Sequence, residues 1–353
     1  MKVYAMFTII LLSHATVIGQ QIIAPNDSRI TIKGCSFPEM VDGKMHYFRF
    51  KPELRSMKKV KLQQDSKKGK TTSGVSLLFK TNSKKITLNF AIKAGDENRG
   101  SSFGLYINGK WQRALNFPKK MKDLELNISG DGTMSKFEVV LPNWSNPSLK
   151  NISIDEKSAL EKVGKLGETY VAFGDSISHG TGQKGTYDTY PFILAKKLNK
   201  ELYNVAVGGG KISQPVSEQI FEMSDIDLLT ILIGYNDLNS GKSTKEYKKQ
   251  YKEFVSQVRE SKPFTKIVCI SPLFTTNTKI NKAGAKIEDY RTAVKEIVKE
   301  FKRGGDEFIY FINGPDVTSV KNLCELGVKD NVHLSIKGAA MLADELYKKI
   351  KLL

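Results

Sequence analysis

Two different patterns of hydrophobic and polar positions follow one another along this chain of 353 residues. From about residue 20 to 165, short apolar runs alternate with turn residues, and no segment has the clear period of an amphipathic helix. Regularly spaced strands of this kind predict an all-β sandwich of the jelly-roll type. The clearest expected strands are 74–79, 85–92, 103–107, 124–128 and 137–141.

The second pattern begins after a link at about 161–167 and extends to the end of the chain. Continuous apolar runs now alternate with long segments of helical period, which predicts an α/β domain over 166–353. Continuous apolar strands are typical of a parallel sheet that is buried on both faces. Five such strands are expected, at 170–173, 202–207, 227–233, 266–270 and 308–312.

Two helices of this second part can be predicted in detail. Ser243 to Glu246 has the sequence of a capping box, and an apolar stripe from Tyr247 to Val258 follows it. A similar stripe runs from Ile287 to Phe301, and a last helix is expected after Ser335. Helices on both faces of a parallel sheet place the ligand crevice at the carboxyl ends of the strands. Catalytic residues are therefore expected in the segments that follow the strands.

The first nineteen residues have the composition of a signal peptide cleaved after Gly19, with Lys2 followed by a short apolar run and small residues. No later segment reaches eighteen uninterrupted apolar residues, so no membrane span is predicted. The cysteine nearest to the apolar run is Cys35, which disfavours a lipid anchor. We therefore expect a periplasmic or secreted protein.

Composition narrows the choice of partner less than motifs do. The formal charge is +18, which could favour the binding of an anionic polymer. The excess Lys, however, is spread over surfaces such as 58–70, and the sequence lacks the motifs of a nucleic-acid module. A solvated Lys-rich surface is the favoured interpretation, and no nucleic acid is predicted. Three cysteines without a C-x-x-C pair indicate neither a disulfide scaffold nor a metal site, and Cys269 is expected to be buried.

Ser176 is the candidate nucleophile. It follows the first strand of the α/β part in the sequence Gly174-Asp175-Ser176, at a strand-to-helix turn whose N–H groups point outward. A serine hydroxyl needs a general base at neutral pH. His333 is the favoured base because it follows the last strand, and Asp330 three residues earlier can orient its ring. His179 is expected to be a rim or pocket residue.

Two further turns can supply hydrogen-bond donors to an oxyanion. Asn204 precedes the run Gly208-Gly209-Gly210, whose bare backbone allows an N–H to approach a substrate closely. Asn236 follows the third strand of the α/β part, where its side-chain amide can donate to the same oxygen. Each turn alone has a conformational explanation, whereas four such turns at four strand ends are much harder to explain in that way.

Together these turns resemble, in order and spacing, the signature blocks of the SGNH (GDSL) hydrolase superfamily over about residues 168–353. The resemblance implies a three-layer, flavodoxin-like α/β/α domain without metal or cofactor. It further implies that Ser176, Asp330 and His333 are catalytic and that Ser176, Gly209 and Asn236 form the oxyanion hole. Gly208 is the alternative amide donor.

The β domain resembles, at 102–106 and 137–142, the jelly-roll domain of two-domain bacterial carbohydrate esterases. It departs from their Gly-x-Asp-Leu-Tyr motif at Ser102 and Gly104. Either sugar binding or a purely packing role fits this domain. The resemblance implies an exported esterase that removes acyl groups, acetyl above all, from a glycan. A lysophospholipase or lipase-like esterase and a non-catalytic glycan-binding protein are the alternatives.

Overall fold

The computed structural model describes residues 19–93, 100–117, 121–164, 167–324 and 330–353. Apart from Gly19, the predicted signal peptide lies outside these residues, and so does the predicted domain boundary between 165 and 166. Within the described ranges, no helix has the length and apolar character that crossing a membrane requires.

In the residues that the structure describes, the first part of the chain is a sandwich of two sheets, each with six strands. One sheet has the order β3-β4-β11-β6-β9 with β1 beside β11, and the other has the order β12-β5-β10-β7-β8 with β2 beside β5. The strands are β1 Gln20–Ile23, β2 Thr31–Lys33, β3 Phe37–Val41, β4 Lys44–Phe48, β5 Ser76–Thr81, β6 Lys85–Lys93, β7 Ser102–Ile107, β8 Lys110–Asn116, β9 Asp123–Ser129, β10 Ser135–Val140, β11 Asn146–Asp155 and β12 Leu160–Glu161.

The sandwich closes over a single apolar core that both sheets share. In β9 the residues alternate with a period of two, so that Leu126 and Ile128 are buried while Glu125 and Asn127 are exposed. This alternation is the pattern that predicted an all-β sandwich, and that prediction is confirmed. Core residues from both sheets include Leu77, Phe79, Leu88, Phe90, Phe103, Val139 and Ile152.

Three short helices that the sequence pattern did not predict lie between β4 and β5. They are α1 Pro52–Ser56, α2 Lys59–Leu62 and α3 Ser66–Gly69. Each has no more than five residues, so none completes the two turns that a hydrophobic period needs in order to be recognised. The Lys-rich segment, expected to be a solvated surface, therefore has a defined structure.

The second part is an α/β domain whose parallel sheet has the order β14-β13-β15-β16-β17, as the prediction of a flavodoxin-like domain requires. Its strands are β13 Glu168–Gly174, β14 Lys200–Asn204, β15 Leu228–Leu232, β16 Lys266–Ile270 and β17 Ile309–Ile312. Its helices are α4 Ser176–His179, α5 Tyr190–Leu198, α6 Gln214–Glu222, α7 Tyr235–Asn239, α8 Thr244–Ser261, α9 Ile287–Arg303 and α10 Ile336–Ile350.

The sheet is covered on both faces. Along β13, Val171 and Phe173 pack into the core formed with α6, α8 and α9, whereas Tyr170 and Ala172 pack into the core formed with α5 and α10. Successive residues of one strand thus point into different layers, which is why the strands have continuous apolar sequences. Cys269 of β16 is fully buried in this way, as predicted.

Local capping agrees with the sequence as well. The Ser243 hydroxyl accepts a hydrogen bond from the Glu246 N–H at the start of α8, and the Ser335 hydroxyl accepts one from the Gly338 N–H at the start of α10. The cap at Ser335 fixes where the last helix begins. It thereby sets the length of the loop that carries His333.

Candidate active site

Ser176 lies at the carboxyl edge of the sheet, on the sharp turn between β13 and α4. Asp175 is the N-cap of α4, and its carboxylate accepts a hydrogen bond of 3.0 Å from the Ile177 N–H. The cap turns the chain at once from strand to helix, so that Ser176 is the first helical residue and its side chain is partly exposed to solvent.

His333 lies in the loop between β17 and α10 and reaches the same edge. Its Nε2 atom lies 2.8 Å from the Ser176 hydroxyl oxygen, although the two residues are 157 positions apart in the chain. The side chain is 25% exposed, so the pair can be reached from solvent. This distance is that of a hydrogen bond between a nucleophile and its base.

Asp330 holds the other side of the imidazole. Its Oδ2 atom lies 2.6 Å from His333 Nδ1, and its Oδ1 atom accepts hydrogen bonds from the backbone N–H groups of Val332 and His333. Partial burial raises the pKa of this carboxyl, but the hydrogen bonds from His333 and Val332 outweigh that effect and leave the pKa below its usual value. An ionised Asp330 can accept a hydrogen bond from the Nδ1–H group of His333, which leaves the lone pair of Nε2 facing the Ser176 hydroxyl.

The Gly208-Gly209-Gly210 turn differs from residue to residue in which of its N–H groups is already bonded. Gly208 is already engaged, because its N–H donates to His179 Nδ1 at 3.0 Å. Gly209 is exposed with φ of +79°, and its N–H has no hydrogen-bond acceptor within the described ranges. The Ser176 N–H is likewise without an acceptor there. Of the two glycines left open by the sequence, Gly209 is thus the better candidate donor.

Asn236 is the second residue of α7, directly after the turn that follows β15. Its Nδ2 atom donates to the Gly210 carbonyl at 3.1 Å and to Asp175 Oδ2 at 3.3 Å. These two acceptors fix the orientation of the amide beside the serine turn. The structure therefore brings together all five residues that the sequence predicted for the site.

The part of the chain that carries this geometry matches a known protein family. Residues 172–341 match the sequence profile of the GDSL-like Lipase/Acylhydrolase family. This part of the chain is a GDSL/SGNH hydrolase domain. The resemblance predicted from four short sequence blocks is therefore confirmed, and the domain belongs to a class of enzymes that act on ester bonds.

Individual relatives are distant. The cellulase/esterase CelE of Acetivibrio thermocellus is 24% identical over 213 residues, which cover 50% of this chain and 25% of that protein. This chain thus spans about a quarter of the length of that curated relative.

Two solved structures have the same fold along almost their whole length. The salicylyl-acyltransferase SsfX3 from a tetracycline biosynthetic pathway has a TM-score of 0.86 at 20% identity, covering 94% of this chain and 97% of that one. An acetyl xylan esterase from the rumen bacterium Butyrivibrio proteoclasticus has a TM-score of 0.67 at 14% identity, covering 96% and 98%. A family two carbohydrate esterase from Cellvibrio japonicus also shares the fold, with a TM-score of 0.67 at 16% identity, covering 95% and 98%.

Two buried carboxylates adjoin Asn236: Asp175, which accepts a hydrogen bond from it, and Asp237, the next residue in the chain. Asp237 is fully buried and forms an ion pair of 2.5 Å with Lys242. Burial raises the pKa of the Asp175 carboxyl to about 6, although the hydrogen bond from Ile177 and the charge of His333 act in the opposite direction, and Asp237 adds to the rise. Asp175 is thus the acidic group of the site whose protonation changes in the mildly acidic range.

The stability of the protein should therefore depend on pH through Asp175. Its folded-state pKa of about 6 exceeds the ordinary value near 3.9, so between these values the folded state binds more protons and wild-type stability falls as pH rises. Asp175→Asn does not titrate. We expect the free energy of unfolding of Asp175→Asn, relative to wild type, to increase by about 2 kcal/mol from pH 4 to pH 7 in urea titrations.

The exposed Asp225 provides the matched control for this measurement. Asp225→Asn removes an exposed carboxyl by the same substitution and is measured in parallel. A difference between Asp175→Asn and wild type that does not change with pH would contradict the assignment of an elevated pKa to Asp175.

His179 is not the rim or pocket residue that the sequence suggested. It is fully buried, its ring stacks on Trp144 at 3.9 Å, and its Nε2 atom lies 2.8 Å from the Thr71 hydroxyl and 2.9 Å from the Asn143 carbonyl oxygen. Because Nδ1 accepts from Gly208, the ring carries its proton on Nε2. His179 therefore connects the β domain to the glycine turn.

Sequence reasoning also missed two residues of the β domain, Arg49, which bonds to the segment just before the glycine turn, and Lys68, which bonds to the turn itself. The signal for Arg49 was its position between Phe48 and Phe50 in an apolar segment, since an arginine there needs buried acceptors. Lys68 carries no signal of its own among the other lysines of 58–70. Among the described residues, no group of three or more His, Cys, Asp or Glu side chains is arranged to hold a metal ion.

Proposed function

We propose that this protein is an exported serine esterase that removes short O-acyl groups, acetyl foremost, from a polysaccharide or oligosaccharide. The observation that carries the proposal is the continuous hydrogen-bonded chain from the Ser176 hydroxyl through His333 to Asp330. In this proposal residues 1–19 are a signal peptide, 20–165 the β domain and 166–353 the hydrolase domain.

The reaction proceeds by acyl transfer in two steps. The Ser176 oxygen attacks the ester carbonyl carbon while His333 Nε2 takes the hydroxyl proton, which gives a tetrahedral oxyanion. The bond to the sugar oxygen then breaks, and His333 returns the proton to that oxygen. Water then attacks the acyl carbon while His333 Nε2 takes its proton, and His333 returns that proton to the Ser176 oxygen as the acyl–serine bond breaks and the carboxylic acid leaves.

Three donors stabilise the oxyanion in this scheme: the N–H groups of Ser176 and Gly209 and the side-chain amide of Asn236. Each is worth about 3 kcal/mol where charge develops, by comparison with oxyanion holes in which one donor was removed. The two N–H bonds of the Asn236 amide are directed at Gly210 and Asp175 before substrate arrives, so the amide gives up one of these contacts, the 3.3 Å bond to Asp175 being the longer, when it donates to the oxyanion. The N–H groups of Ser176 and Gly209 need no such exchange, because neither has an acceptor within the described ranges.

A short acyl group is favoured by the small size of a recess at this edge of the sheet. Its lining includes Ile177, Tyr235 and Val332, which are the chain neighbours of Ser176, Asn236 and His333. The recess has a cavity volume of about 10 Å³, roughly the space of one water molecule. A recess of this size favours a methyl group over an eight-carbon chain.

Acyl-chain selectivity and glycan deacetylation test this proposal together. We expect the purified protein to release acetate from acetylated glycans, and kcat/KM for an octanoyl aryl ester to be at least about tenfold below that for the acetyl ester. The glycan panel includes neutral and uronic-acid polymers, with Ser176→Ala as the blank. Preference for the octanoyl ester would favour a lysophospholipase or lipase-like enzyme, and inertness toward every ester would favour a glycan-binding protein.

A further inference from the structure

The glycine turn of the hydrolase domain is held in place by the β domain. Arg49 Nη1 donates to the carbonyl oxygens of Asn204 at 2.6 Å and Ala206 at 2.8 Å, just before the turn. Just after the turn, the Lys211 N–H donates to the Gln63 carbonyl oxygen at 3.0 Å. Both ends of the segment that carries Gly209 are therefore bonded to residues of the other domain.

Lys68 of α3 contacts the turn at its centre. Its ammonium group donates to the Gly208 carbonyl oxygen at 3.1 Å. That oxygen belongs to the same peptide group as the Gly209 N–H, the candidate oxyanion donor. A trans peptide is planar, with its C=O and N–H bonds pointing in opposite directions. The lysine therefore bonds to this peptide on the side opposite to the Gly209 N–H.

Such a bond has two physical effects on the Gly209 N–H. A cationic donor on the carbonyl oxygen draws electron density along the amide, which makes the N–H at its other end a stronger donor. It also resists rotation of the peptide plane. Glycine permits such rotation readily, and Gly209 already has φ of +79°. A peptide between two glycines needs an external contact to keep one orientation.

Two other residues, His179 and Trp144, contact the remaining parts of Gly208. Its N–H bonds to His179, and Trp144 packs so closely that a Cβ atom on Gly208 would lie 2.4 Å from the indole ring. These contacts set the position of Gly208. The carbonyl that precedes Gly209 is bonded by Lys68.

We propose that Lys68 is a positioning residue of the oxyanion hole, acting through the Gly208–Gly209 peptide, and that the β domain is thereby a working part of the active site. The role in turnover rests on the esterase function proposed above. The contact between Lys68 and the peptide can be tested without any substrate.

The kinetic test compares Lys68→Met with Lys67→Met. Lys67 is exposed on the same short helix, and methionine keeps the length of the aliphatic stem while removing the ammonium group. We expect Lys68→Met to lower kcat on an aryl acetate about tenfold with KM within about twofold, since a misaligned donor costs part of the 10²- to 10³-fold effect of a lost one. Lys67→Met should match wild type, and Lys68→Arg should regain most of the loss.

The proposal would be overturned if Lys68→Met had the same kcat as Lys67→Met, or if the substitution changed only KM. A loss of kcat accompanied by a fall in melting temperature that Lys68→Arg does not relieve would also overturn it, because that pattern indicates a merely structural contact.

The substrate-free test uses the three Gly-Gly pairs of the chain, 208–209, 209–210 and 304–305. In protein labelled with ¹³C,¹⁵N-glycine, a carbonyl-filtered amide spectrum shows only the Gly209, Gly210 and Gly305 amides. Gly209 and Gly210 are distinguished through the Gly209 Cα, and Gly305 is identified by its loss in Gly304→Ala. We expect Lys68→Met to shift the Gly208 carbonyl carbon and the Gly209 proton while Gly305 stays in place.

Lys67→Met should leave all three signals unchanged. An unmoved Gly209 signal in Lys68→Met would overturn the inference even if the enzyme is an active esterase. Conversely, wild-type protein inert toward every ester would end the proposed function. The same spectra would still decide whether Lys68 orients the peptide.

Discussion

Replacing Ser176 with alanine should lower kcat for hydrolysis of an aryl acetate by about four to six orders of magnitude while leaving the fold intact. The alanine variant has no oxygen to form the acyl-enzyme, and His333 has no proton to accept from this position. Residual turnover would come from substrate binding and the oxyanion donors acting on water. Initial rates and a thermal melt of the same preparation measure both parts of the expectation.

Ser224, an exposed serine, supplies the control: Ser224→Ala should keep wild-type rates. A further check is non-additivity, because residues that act as one unit lose their effect together. Ser176→Ala combined with His333→Ala should be no slower than Ser176→Ala alone. Wild-type turnover in purified Ser176→Ala would end the assignment of Ser176 as nucleophile.

Replacing Arg49 with alanine should lower the free energy of unfolding by about 4 kcal/mol. Arg49 is 2% exposed, and its guanidinium donates to the carbonyl oxygens of Thr71, Asn204, Ala206 and Lys68. Burial lowers its pKa to about 9, which still leaves it charged at neutral pH. Alanine would leave several buried acceptors without donors and open a cavity between the domains.

Urea unfolding is the appropriate measurement for this change. Arg113, an exposed arginine that donates to the Asn127 carbonyl oxygen, gives the matched control, and Arg113→Ala should alter the free energy of unfolding by no more than about 0.5 kcal/mol. Arg49→Lys should fall in between, because it keeps the charge but not the planar fork. A loss of under 1 kcal/mol for Arg49→Ala would show that its carbonyl contacts do not hold the domains together.

The candidate site was predictable because its residues lie in the segments that connect strands of a recognisable type to the elements that follow them. Ser176 follows β13, Asn236 follows β15 and His333 follows β17, so their meeting at one sheet edge is a consequence of parallel topology. The order of the sheet strands could be expected from the family resemblance. Hydrophobic period alone supported both the sandwich and the α/β domain.

The register of the glycine turn could not be read from the sequence. Gly208 and Gly209 are identical in type, and only the hydrogen bond from Gly208 to His179 shows which N–H is already engaged. The prediction that His179 lies at the rim or in a pocket was wrong because it, too, depended on local sequence alone. Its short distance in sequence from Ser176 suggested the rim, whereas its partners Thr71 and Asn143 come from the other domain.

The sequence by itself determined the two folds and the residue types of the candidate site, because hydrophobic period and turn chemistry are local properties of the chain. Only the tertiary structure decided which lysine of the Lys-rich segment contacts the glycine turn. Lys67 and Lys68 are neighbours of the same type, yet one is exposed and the other bonds to Gly208. Which of them makes this contact depends on how the two domains pack, and that packing brings together residues 140 positions apart in the chain.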